Sequence, residues 1–115
     1  MSTNKTFTTK EKADTYENLN PFLQNMYQEF KDLSKKNPDA IISKAKIKIV
    51  NRLLEKIQEI FKGKNYADLL DLLDEDDLPQ ASDVALILSQ YQSAMEKFKD
   101  EHYGWTGSEH IWFIK

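Results

Sequence analysis

Cysteine is absent from the 115-residue chain, which removes disulfides, zinc–thiolate centres and cysteine nucleophiles together. Glycine and proline are scarce, three of each. The glycines, Gly63, Gly104 and Gly107, fit no G-x-x-x-x-G-K phosphate loop. No glycine-framed elbow exposes Ser82 or Ser108 as a nucleophile. Long apolar runs are also missing: the longest, VALIL at 84–88, has five residues, against about 20 for a membrane-spanning helix. The first twenty residues contain no apolar core, so no secretory signal is expected and the Asn4-Lys5-Thr6 triplet carries no weight for glycosylation. A cytoplasmic protein without a membrane partner is the expectation. The net charge of −3 is too small to point to nucleic acid or membrane by itself.

The little glycine and proline present reads as punctuation. Asn20-Pro21 and Asn37-Pro38 each place an N-cap before a proline at the first helical position. Gly63 and Gly104 each follow a long periodic segment, as C-terminal glycines do. Between these marks the apolar spacing predicts an all-α bundle of about four helices, near 21–36, 39–62, 66–74 and 82–103. The first turns Leu23, Met26, Tyr27, Phe30 and Leu33 to one face. The second, with Ile42, Ile49, Val50, Leu53, Leu54, Ile57, Ile60 and Phe61, is the expected centre. Tyr66, Leu69, Leu70 and Leu73 predict a short third helix facing inward, and Ser82 reads as the N-cap of the fourth. Residues 1–115 read as one helical domain, with 1–18 as an N-terminal extension and 105–115 as an aromatic tail. The two ends are rich in threonine, aromatics and isoleucine, which favour strands. Their pairing as a small two-stranded sheet stands as the second reading beside a frayed start and a tail packed on the bundle.

One stretch concentrates charge of a single sign. YADLLDLLDEDDL, 66–78, carries six acidic side chains between Asp68 and Asp77 with no cation among them. As a calcium loop counted from Asp74 it fails, because Leu78, Pro79 and Ala85 occupy the fifth, sixth and twelfth positions. Leu69-Leu70-Asp71-Leu72-Leu73 matches the L-x-x-L-L pattern of groove-docking helices, a match that inward core leucines also produce. The opposite charge lies in 35–56, where Lys44, Lys48, Arg52 and Lys56 are spaced by four. A third helix folding back after Gly63 would bring Asp71–Asp77 to the level of Lys48–Arg52. Charge complementarity within the chain is therefore the expected role of the acidic stretch. Lys46 stands out, projecting from the expected apolar side of its helix.

His102 and His110 are too few and too ill-spaced for a metal site, and no two carboxylates are paired in a pocket. Neither enzyme activity nor a cofactor nor a metal is expected. Three functional expectations follow. The first is a non-enzymatic binding protein of inhibitor, immunity or adaptor type. It would meet a protein partner through Asp71, Asp74, Glu75, Asp76 and Asp77 and through an aromatic patch of Trp105 and Trp112. The second is a nucleic-acid-binding module using Lys35, Lys36, Lys44, Lys48 and Arg52 on phosphates. The third is a homodimer in which a second copy completes the apolar face of the second helix.

Overall fold

The computed structural model describes residues 6–115. Three helices, α1 Lys10–Lys36, α2 Lys44–Gln58 and α3 Ala81–His102, precede a hairpin of β1 Tyr103–Trp105 and β2 His110–Trp112. The fold is mostly helical, with three α-helices among the described residues in place of about four.

α1 begins well before Pro21. Thr9 is its N-cap, accepting from the Lys12 N–H at 3.1 Å. The inner stripe continues upstream through Leu19, Tyr16 and Ala13, and its packing on α3 is the most extensive between helices. Pro21 consequently lies inside a helix of 27 residues, on its exposed side. A mid-helix proline removes one donor and crowds the carbonyl four residues back, at a cost of about 3 kcal/mol. Burial of Tyr16 and Leu23 on either side of it, worth about 1.5–3 kcal/mol each, offsets that cost. Half of the expected extension 1–18, from Lys10 on, is thus the first turns of α1, and its residues 1–5 lie outside the described residues.

Asn37 closes α1 and does not open α2: its N–H donates to the Leu33 carbonyl at 2.7 Å. The next residues pair with the chain entering α3, through Ile42 N–H to Pro79 O at 2.9 Å and Ala81 N–H to Ala40 O at 2.8 Å. That pairing holds the link extended, so α2 starts only after Ser43, whose side chain accepts from the Lys46 N–H. Its buried face is Ile47, Val50, Leu54 and Ile57. Ile49 is exposed and so is Lys46, which lies beside it on the apolar flank of α2 that faces α1. A 3-10 turn, Glu59–Phe61, and Gly63 at φ +88° end the segment.

The expected third helix does not form. Residues 66–77 make a 3-10 turn, Ala67–Leu69, an extended run, and a second 3-10 turn, Glu75–Asp77. Aspartate favours caps and turns over helix interiors, and side chains of α2 and α3 take the run's backbone groups. The L-x-x-L-L leucines share no helix: Leu69 ends a 3-10 turn, 67% exposed, while Leu72 and Leu73 lie in the extended run.

Gln80, not Ser82, is the N-cap of α3, its N–H bonded to Asp83 Oδ2 at 2.8 Å. Gly104 lies within β1, and the hairpin turn uses Gly107 at φ +103°. The strands pair antiparallel, Tyr103 with Trp112 and Trp105 with His110. The ends of the described chain meet at a single parallel bridge, Thr8 to Ile114. The two-stranded sheet therefore belongs to the tail alone. One apolar cluster, centred on Leu23, Leu54, Phe61, Leu88, Tyr91 and Phe98, unites the three helices. Among the described residues no helix is long and apolar enough to cross a membrane.

Candidate functional site

The acidic stretch is a loop pinned on its inner side. Asn51 donates to the Leu73 carbonyl at 2.7 Å and accepts from the Leu73 N–H at 2.9 Å. Gln58 donates to Leu70 O at 3.0 Å and Tyr91 to Asp71 O at 2.9 Å. Burial pushes the Tyr91 phenol up to about 12, so it stays a donor at neutral pH. Asp71, Asp74, Asp76 and Asp77 are exposed and Glu75 is half-buried. Asp74 accepts from the Asp76 N–H at 2.9 Å, forming the second turn locally. Leu78, also exposed, closes the loop at φ +51°, a left-handed conformation that strains a side chain bearing Cβ.

Contact with the basic ridge is limited to one exposed pair, Lys44 to Asp76 at 3.1 Å, worth about 0–1 kcal/mol. The loop does return to the level of Lys48–Arg52, where Asn51 holds Leu73, but it lies on the Asn51–Gln58 flank of α2, and among the described residues its acidic side chains pair with the ridge only at Lys44. Lys48, Arg52 and Lys56 are exposed and have no ion-pair partner among the described residues; nor do Lys35, Lys36 and Lys46.

Trp105 and Trp112 lie on the same hairpin face but do not form one patch. Trp112 packs against Tyr16 at 5.1 Å and Phe98 at 5.9 Å, its indole N–H bonded to Glu17 at 2.9 Å. It closes the core there, as a tail packed on the bundle. Trp105, at the tip, leans on His110 at 5.0 Å and is 53% exposed.

His102 is 2% exposed at the end of α3. Its Nδ1–H donates to the Thr6 carbonyl at 2.7 Å, and Lys64 donates to Nε2 at 2.7 Å. Burial, joined by the adjacent lysine charge, lowers its pKa and keeps the ring neutral. Lys64 also pairs with Glu101 at 3.1 Å, and Tyr66 donates to the same oxygen at 2.9 Å. Burial alone would raise the Glu101 carboxyl, but the Tyr66 and Lys64 bonds outweigh it and hold it below its ordinary value. The side chains of this cluster bond one another and the Thr6 carbonyl, so it is a fastening between the start of the described chain, the 61–66 turn and α3. Among the described residues no three carboxylate or imidazole side chains converge to hold a metal ion.

One concavity was concealed by the spacing of the sequence. An apolar groove of about 410 Å³ runs between α1 and α2, lined by Phe22, Met26, Phe30, Leu33, Ile49 and Val50. Glu29 and Lys46 stand on its opposite walls. Phe22 is 64% and Ile49 52% exposed. The signal was present in two adjacent apolar pairs, Phe22-Leu23 and Ile49-Val50. Neighbours on a helix stand about 100° apart, so both members of a pair turn inward only when the helix is covered on two sides.

Compared with protein-family models, curated proteins and solved structures, the chain matches none.

Proposed function

We propose that this protein acts by binding another polypeptide, and that the α1–α2 groove is its contact surface. The observation that carries the reading is the groove itself: apolar, about 410 Å³, with Phe22 and Ile49 held open to solvent on rigid helices. Aromatic and aliphatic side chains presented this way form the energetic centre of interfaces. The fitting occupant is an amphipathic segment with leucine-like side chains and an acidic flank. Lys46 lines the groove, and Lys36, Arg52 and Lys56 are exposed beside the α1–α2 seam without ion-pair partners among the described residues. Such a rim favours encounter with a negative partner and steers its approach. An inhibitor, immunity or adaptor role is compatible with this surface.

The rival is nucleic-acid binding through Lys35, Lys36, Lys44, Lys48 and Arg52, and one comparison separates the two. Affinity capture from native lysate with the wild type, F22D/I49D and K48E/R52E, each with and without nuclease, is expected to recover a nuclease-resistant protein. F22D/I49D should lose it, and K48E/R52E should retain it more weakly. Capture that survives F22D/I49D but vanishes with nuclease would replace this reading with the nucleic-acid one.

A further inference from the structure

Resting on that reading, the groove's occupant is identifiable from the remaining exposed surface of the same molecule. The acidic loop presents Leu69, Leu72 and Leu78 to solvent, interleaved with Asp68, Asp71 and Asp74. Exposed leucines on a flexible loop would lose much entropy on docking. Here the backbone is fixed beforehand: Asn51, Gln58 and Tyr91 hold Leu73, Leu70 and Asp71 in place. Leu78 is kept outward in a left-handed conformation that serves no internal contact of the core cluster. The loop thus has the chemistry the groove fits, leucines with an acidic flank.

The positions along α2 decide whether the loop fills its own groove or another's. At about 100° per residue, the groove residues Lys46, Ile49 and Val50 lie on one flank of the buried stripe Ile47–Leu54. Asn51 and Gln58, which hold the loop, lie on the other. The outward cations Lys48 and Arg52 separate the two flanks. A loop anchored at Asn51 and Gln58 cannot cross α2 to reach Ile49 of the same chain without breaking those bonds.

We propose that the loop 68–78 of one copy docks in the α1–α2 groove of a second copy, a head-to-tail contact. Because groove and loop occupy opposite flanks of α2, one contact leaves a groove free on one copy and a loop free on the other. The association is therefore heterologous, building a chain or a ring of copies and not a dimer closed by a two-fold axis. Lys46, Arg52 and Lys56 supply the charge that the partner copy's Asp71, Asp74 and Asp77 meet. A single loop in a groove of this size buries less than the roughly 1,000 Å² of a stable interface, so binding is weak and salt-sensitive.

The test is sedimentation velocity from about 10 μM to 1 mM, a span in which weak contacts of about 4–7 kcal/mol become populated. It uses wild type, the groove variant F22D/I49D and the loop variant L69S/L72S. All four positions are exposed, so both variants retain the core, which circular dichroism checks. Wild type is expected to grow in mass with concentration and to shrink when salt is raised. Each variant alone stays monomeric, and an equimolar mixture of the two stops at a heterodimer, because each supplies the surface the other lacks. A wild type monomeric at 1 mM overturns the proposal, as does a closed dimer or a mixture that does not associate. If wild type is monomeric while F22D/I49D still abolishes capture of a lysate protein, the second-copy assignment fails and the groove reading survives. If F22D/I49D affects neither, both fail.

Discussion

Asn51 holds the peptide groups of Leu73 from both sides, donating to its carbonyl at 2.7 Å and accepting from its N–H at 2.9 Å. A single side-chain amide on α2 thus stands in for the partner that a strand or helix would supply. Asn51→Leu leaves both groups of a partly buried peptide unsatisfied and is expected to cost about 1–3 kcal/mol. Asn51→Asp keeps the acceptor and loses the donor. Urea denaturation of the two variants checks the cost, and protease sensitivity at 68–78 should rise before global unfolding.

The His102 cluster makes stability pH-dependent in two steps. His102 has a folded pKa below its ordinary 6.5. The unfolded chain therefore takes up the proton first, and stability present above pH 6.5 is lost as pH falls toward the folded value. Glu101 is also lowered, from 4.5; its contribution is present above that pH and is lost as pH falls through its folded value. Thermal melts from pH 8 down to about 2.5 should show the melting temperature falling below pH 6.5 and again below pH 4.5. His102→Gln should flatten the upper step and leave the lower one. An upper step unchanged in the variant would assign it to another group.

The two tryptophans should separate cleanly. Trp112→Ala removes a half-buried indole from contact with Tyr16 and Phe98 and is expected to cost about 2–4 kcal/mol. Trp105→Ala, at the exposed hairpin tip, should change stability by no more than about 0.5 kcal/mol. Chemical denaturation followed by fluorescence reads both, since each variant leaves one tryptophan as the probe.

Pro21→Ala restores an N–H within α1 at an exposed position. It should raise stability by about 1–2 kcal/mol, less than the full helix-interior penalty because the surroundings have adapted to the ring. A midpoint shift in urea of the opposite sign would mean that α1 depends on the bend proline imposes.

Local sequence signals located the helical mass but misread its borders, each time for a tertiary reason. Val84, Leu88, Tyr91, Met95 and Phe98, spaced alternately by four and three, lie on the buried stripe of α3, with Ile87 beside it half-buried. Asn20-Pro21 failed because the pull of α3 on Ala13 and Tyr16 exceeds the proline penalty. The 66–74 helix failed because Asn51, Gln58 and Tyr91 take backbone groups that a helix would need, and no local pattern reveals a partner 12 to 22 residues distant. The groove escaped notice because periodicity shows which residues are apolar, not how many elements arrive to cover them. The acidic and basic residues were legible as groups, but their meeting at Lys44–Asp76 alone depended on where the chain crosses α2.

The most direct test of the groove as a contact surface is site-specific photo-cross-linking. A benzophenone amino acid is placed at Phe22 in the groove and, separately, at Lys48 on the outward face of α2. The account predicts nuclease-resistant cross-links to polypeptide from position 22 and few from position 48. Cross-links from position 48 to nuclease-sensitive material, with none from position 22, would contradict it.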